Sequence, residues 1–207
     1  MKKFIMALSS IVLPAITFNA SASFISNDDI DSLSITAPTG WNILYEDALF
    51  DGVLRQHGDW DKRFVGLRGA GDDITDTNPI NVNIKLNSEF SITSFSLYND
   101  WNYFLLHQIT GLNVDFIDNG IVSSSHSFSN LDMNTFDEIM LLPALALDGI
   151  DEIDFNITGA QLKNIEITEF RIGAVNTAVS SVNTPYLGLL LSTLILGALY
   201  AGRAKNQ

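Results

Sequence analysis

Leu112-Asn113-Val114-Asp115-Phe116-Ile117, then Asp118-Asn119-Gly120, then Ile121-Val122-Ser123-Ser124-Ser125-His126-Ser127-Phe128 is the stretch that decides the fold. The first run alternates apolar and polar residues, the pattern of a strand with one face buried. Asn-Gly follows, and both residues tolerate positive φ, so they suit the two-residue turn of a tight hairpin. A second β-rich run returns from it.

The same period of two extends on both sides. Ile80, Val82, Ile84 and Leu86 alternate with Asn81, Asn83 and Lys85. Phe90 and Ile92 continue it, the phase slips at Thr93-Ser94, and Phe95 and Leu97 resume. A slip of one residue turns side chains to the other face and marks a bulge. Ile150, Ile153, Phe155 and Ile157 form a further strand, with a turn expected at Thr158-Gly159. Ile165, Ile167, Phe170 and Ile172 form another, stopping at Gly173. Residues 136–142 read as a strand halted by Pro143, and 144–147 as a helical turn. Residues 23–79 are less regular, with short strands and long loops and a helix or turn at Asp28-Asp29-Ile30-Asp31. Many short strands without a long helical period argue an all-β chain, a single antiparallel β-sandwich over residues 23–173, with 174–184 as a linker.

The two ends read as addresses. Met1-Lys2-Lys3, an apolar run and Ala20-Ser21-Ala22 have the three parts of a secretory signal over residues 1–22. At the other end Asn183-Thr184-Pro185 precedes an apolar run of about 16 residues, roughly 24 Å as a helix and at the short end for a bilayer. Arg203 and Lys205 follow and would stay cytoplasmic. Removing both ends leaves about 160 residues, enough for one domain with a core. The chain has no cysteine, so an exported domain must rely on that core.

All 24 acidic residues lie between the end segments. Of the basic ones only Arg55, Lys62, Arg63, Arg68, Lys85, Lys163 and Arg171 do. A surface this negative repels phosphate backbones, which excludes nucleic acid as a partner. It attracts divalent cations, and Asp72-Asp73-Ile74-Thr75-Asp76 offers oxygen ligands for a structural Ca²⁺ through Asp72, Asp73 and Asp76. No Gly-x-Ser-x-Gly or His-Glu-x-x-His motif occurs, and His57, His107 and His126 lie in separate segments, so an enzyme is not expected. A glycosidase pair among Glu46, Asp47, Asp51, Asp59 and Asp61 needs a separation that sequence does not give. Trp41, Trp60, Trp101 and Tyr103 sit among Asn, Asp and Gly. An indole can stack on the apolar face of a sugar while nearby amides bond its hydroxyls, so Trp60, Trp101 and Tyr103 are candidate saccharide contacts, against a bland role as loop anchors.

The C-terminal arrangement resembles the PEP-CTERM sorting signals of Gram-negative bacteria, handled by exosortases. Here Val182-Asn183-Thr184-Pro185 keeps the last proline and lacks the Pro-Glu before it. The resemblance implies an exosortase-like processing partner, transient membrane attachment and an exopolysaccharide setting at the cell surface. Ile92-Thr93-Ser94-Phe95-Ser96-Leu97, Val114-Asp115-Phe116-Ile117-Asp118-Asn119-Gly120 and Ile150-Asp151-Glu152-Ile153-Asp154-Phe155 resemble core strands of jelly-roll, galactose-binding-like modules. The expected role is a non-enzymatic surface or matrix component, with a lectin-like module or a polysaccharide or ester hydrolase as alternatives. The intact mass of the exported product tests the ends: it should begin at Ser23 and end near Thr184, and a product retaining residues 186–207 in the membrane fraction would make the tail a permanent anchor.

Overall fold

The computed structural model describes residues 23–54, 63–69, 71–99, 107–131, 138–161 and 164–177. Among them are ten strands: β1 Ser23–Phe24, β2 Ile30–Thr36, β3 Trp41–Leu44, β4 Phe64–Arg68, β5 Ile80–Asn99, β6 Ile109–Asp118, β7 Ile121–Ser129, β8 Ile139–Leu142, β9 Leu147–Ala160 and β10 Asn164–Asn176. Two 3-10 helices, η1 Asn27–Asp29 and η2 Glu46–Phe50, join the early strands. All pairings are antiparallel.

β5 makes the sandwich. Its first half lies between β2 and β9, with Val82 opposite both Ile35 and Phe155. Its second half lies between β10 and β8. The two halves fold back on each other around residues 86–90. Ile80 pairs with Ile157, a few residues from the Ala160–Ile109 pair. Asn99, at the far end of β5, exchanges hydrogen bonds of 2.9 and 3.1 Å with the main chain of Ile109. One layer is therefore β2-β5-β9-β6-β7 and the other β3-β4-β10-β5-β8, with β1 on β10 beyond β4. Both ends of the described chain lie at the bend: Ser23 pairs with Ala174, and Asn176 with Phe90.

The core between the layers is built from the alternating apolar residues. Phe155 of β9 stacks on Phe170 of β10 with centroids 4.6 Å apart. Phe95 and Phe50 flank the pair at 5.6 to 6.0 Å. Phe50 reaches it because η2 fills the edge of β10 between its pairings with β1 and β4, where the Gly52 N–H donates to Glu169 Oε1 at 3.1 Å.

The expected hairpin is present, with Asn119 at φ 49° and Gly120 at φ 77° joining β6 to β7. So is the slip in β5, where Gly173 pairs with Ser94 and Ala174 with Ile92, leaving Thr93 as the extra residue. Three expectations change. Thr158-Gly159 is no turn, because β9 runs on to Ala160. A Cβ on Gly159 would meet Thr110 Oγ1 at 2.5 Å and one on Gly111 would meet Thr158 Oγ1 at 2.6 Å, so these glycines permit close strand contact. Gly173 is no stop either, for the same kind of crowding by Ser94, and β10 continues to Asn176. Residues 144–146 form no helical turn; the Leu145 N–H donates to Thr93 O at 2.7 Å, and Leu147 opens β9. Residues 1–22, Phe136 and the segment from 178 onward, with its apolar tail, lie outside the described residues; among the described residues no helix is long and apolar enough to cross a membrane. Phe155→Ala should lower stability by about 3–5 kcal/mol in denaturant titration, because it opens a cavity where four rings meet.

Candidate functional site

At the end of the sandwich opposite the bend, strands that pair by apolar faces finish in polar side chains. Arg63 and Glu166 are 1 % and 4 % exposed. Arg63 Nη1 lies 3.3 Å from Glu166 Oε2, and His107 Nδ1 lies 2.6 Å from Oε1 of the same carboxylate. A buried charge is tolerated only when paired and hydrogen-bonded, and Glu166 serves two partners from the chain before β4 and before β6. Its own N–H donates to His107 O at 2.6 Å, so the junction is tied by main chain as well. Gln108, next along, is fully buried, and its amide has no hydrogen-bond partner among the described residues. This is a junction that fixes strand ends.

A second polar group lies on the β10–β5 face. The Arg171 guanidinium sits 4.1 Å from the Phe24 ring centroid and 5.6 Å from that of Tyr98. Arg171 Nη1 donates to Tyr98 Oη at 3.3 Å, which donates to Glu138 Oε2 at 3.3 Å; Ser96 Oγ donates to the other Glu138 oxygen. Burial raises the Tyr98 phenol above its ordinary value, with the Glu138 charge adding to it and Arg171 opposing.

The three acids offered as calcium ligands take separate tasks. Asp73 Oδ1 accepts from Arg68, whose Nε and Nη2 also donate to Gly71 O at 2.9 and 2.7 Å. Asp72 works through its main chain: its N–H donates to Thr39 O at 3.1 Å, and its carbonyl accepts from Trp41 Nε1 at 2.9 Å. Trp41 is thus a loop anchor. Asp76 faces a cleft elsewhere. Among the described residues no group of three or more His, Cys, Asp or Glu side chains could hold a metal ion. Trp60, Trp101 and Tyr103 lie outside the described residues, as do Asn183, Thr184, Pro185, Arg203 and Lys205. His57, Asp59 and Asp61 also do. His126 Nε2 is 2.8 Å from Ser124 Oγ, but among the described residues no carboxylate orients the ring, which instead stacks on Phe128.

The cleft lies on the outward face of β6, β7 and β9. It holds about 260 Å³ and is lined by Asp76, Asn113, Ser127, Phe128, Ser129 and Thr158. Period two places its polar side chains: Asn113 stands opposite Ser127 on one side and Asn156 on the other. The amide, the carboxylate and the three hydroxyls spend no hydrogen bonds on one another, and Phe128 borders the cleft while its ring turns to the inner face, beside Leu112 and against the core. Such a set can donate to and accept from a polyhydroxylated ligand. Sequence reasoning passed over it because Asn and Ser on the outer face of a strand look like ordinary solvated positions. The signal was there in Asn113 and in the serines at every second position of β7.

No family model and no curated protein matches the chain. Solved structures do match. The family 32 CBM from C. perfringens NanJ, in complex with galactose, superposes with a TM-score of 0.53 at 13 % identity, over 74 % of this chain and 99 % of that one. CpGH89CBM32-5 from Clostridium perfringens, in complex with GalNAc-β-1,3-galactose, gives a TM-score of 0.53 at 11 % identity, over 72 % of this chain and 99 % of that one. The described sandwich thus has the fold of these galactose-binding-like modules. The Tyr98 phenol gives a pH test. Its folded pKa is raised, so its contribution to stability is complete below pH 10 and is lost as pH rises through the folded value. Chemical denaturation at rising alkaline pH should show a fall that Tyr98→Phe makes shallower.

Proposed function

We propose that the chain is a non-catalytic saccharide-binding module, exported and held at a cell surface or within its exopolysaccharide. The observation that carries this is the cleft of Asp76, Asn113, Ser127, Phe128, Ser129 and Thr158 on a sandwich of this fold. The two similar modules were solved with galactose and with GalNAc-β-1,3-galactose. A sugar of that class brings hydroxyls for Asn113, Thr158 and the serines. Each such hydrogen bond is worth about 1 kcal/mol, so the affinity of one cleft is modest. The strongly acidic surface favours a neutral glycan over an anionic one.

Trp60, Trp101 and Tyr103 are the competing stacking residues for the same function. In this reading the leader at residues 1–22 exports the domain. The tail beyond Asn183-Thr184-Pro185, with Arg203 and Lys205 behind it, then delivers it to the surface through an exosortase-like enzyme. Retention of the full-length chain on a glycan array containing galactose- and GalNAc-terminated glycans tests the function. Asn113→Ala and Thr158→Val should each weaken binding about threefold to tenfold without lowering the melting temperature. Loss with Trp101→Ala or Trp60→Ala, while the cleft variants bind normally, would move the site to those indoles. Retention on no glycan would remove the saccharide reading.

A further inference from the structure

β7 is an open edge. It ends the order β2-β5-β9-β6-β7, and among the described residues no strand pairs with its outer side. Unpaired edges invite pairing with another chain, and proteins guard them with short strands, proline or charge. The other edges here are guarded. β3 and β8 have four residues each, and Pro143 follows β8. β2 carries Asp31 and a register slip at its start. β7 has nine residues, with no proline and no Asp, Glu, Lys or Arg. Its first residues are set off by a slip between Phe116 and Ile117, so residues 124–129 form the regular part.

The direction of its main-chain groups follows from the turn. In a two-residue hairpin the flanking residues Asp118 and Ile121 form a hydrogen-bonded pair, and bonded pairs then alternate along β6. Phe116, Val114, Leu112 and Thr110 therefore bond toward β7, in accord with the Leu131 N–H on Thr110 O at 3.3 Å. Val114 faces His126 and Leu112 faces Phe128. The N–H and C=O groups of Ser125, Ser127 and Ser129 are left pointing away from β6.

We propose that β7 is a self-association edge, on which two copies of this chain pair antiparallel about a two-fold axis at Ser127. A two-fold perpendicular to the sheet keeps inner faces with inner faces. In this register Ser127 bonds to the partner's Ser127, and Ser125 bonds to the partner's Ser129. His126 comes opposite the partner's Phe128 in a non-hydrogen-bonded pair, where side chains approach most closely. Within one copy His126 and Phe128 already stack, with centroids 6.5 Å apart and planes at 13°. The dimer extends that stack across the axis. Like charge sets the condition for self-pairing: two chains of net charge −13 repel, so copies can meet only where the contact brings no carboxylate, and among the described residues β7 is the long edge that meets this condition. An isologous pairing of this kind closes as a dimer, the commonest symmetry of soluble oligomers.

The chain has no cysteine, so one introduced thiol reads the register directly. Across a hydrogen-bonded pair the Cα atoms are about 5.5 Å apart, inside the disulfide range of about 4.4–6.8 Å. The full-length chain carrying Ser127→Cys should run as a covalent dimer on a non-reducing gel after mild oxidation. Ser129→Cys should stay monomeric, because its symmetry mate lies about 13 Å along the strand. Ser127→Lys should convert the sedimenting species from dimer to monomer while its circular-dichroism spectrum stays that of the folded sandwich. Equal cross-linking at both positions, or none at either, overturns the proposal, as does a wild-type chain that sediments as a monomer. None of these readouts depends on glycan binding.

Discussion

The stack of Phe155 on Phe170 is the contact on which the molecule depends. The two rings come from β9 and β10, which serve different layers, and nothing in hydrogen bonding alone would hold those layers face to face. Strand pairing is satisfied edge to edge along each layer. It is the burial of Phe50, Phe95, Phe155 and Phe170 together that folds β5 back on itself and closes the sandwich. The bend in β5 and the docking of η2 are both geometries that bring these rings into one place.

Chemistry on the surface is then decided by which face each residue occupies. On the outward side of β5, β9, β6 and β7 the rows run Asn81, Asn156, Asn113, Ser127 and, one step along, Asn83, Asp154, Asp115, Ser125. Asp154 stands directly opposite Asp115, a costly neighbourhood for like charges. The structure answers it locally. Asn83 Nδ2 donates to both Asp154 and Glu152, and Ser125 Oγ donates to Asp115. The row nearer the strand ends has Asn81 bonded to Asn156 at 3.1 Å, while Asn113 and Ser127 remain available. The cleft therefore lies where the ladder of internal hydrogen bonds runs out.

Much of the fold was legible because burial on one face imposes a strict period. The β6–β7 hairpin, the Thr93 slip and the strands bearing Ile84, Phe155 and Phe170 follow from alternation and from Asn119-Gly120. A glycine that follows an alternating run reads as the end of a strand, but Gly159 and Gly173 are glycines because a neighbouring hydroxyl, of Thr110 or Ser94, occupies the place of a Cβ. Sequence order does not show that proximity. The cleft was illegible for a related reason, since Asp76, Asn113 and Thr158 come from distant segments and only register aligns them. In the run Asp72, Asp73 and Asp76, Arg68 holds the Asp73 carboxylate and Trp41 Nε1 donates to the Asp72 main-chain carbonyl, contacts that sequence order does not show.

Ser23 and Asn176 leave the sandwich together at the bend of β5, while Ser129 and Thr158 lie toward the other end. β10 has 13 residues, and at about 3.3 Å per residue it spans roughly 40 Å from one end to the other. Any tether that continues from Thr177 thus carries a built-in stand-off of that order. A tether at that end leaves the cleft on the far side of the domain from it.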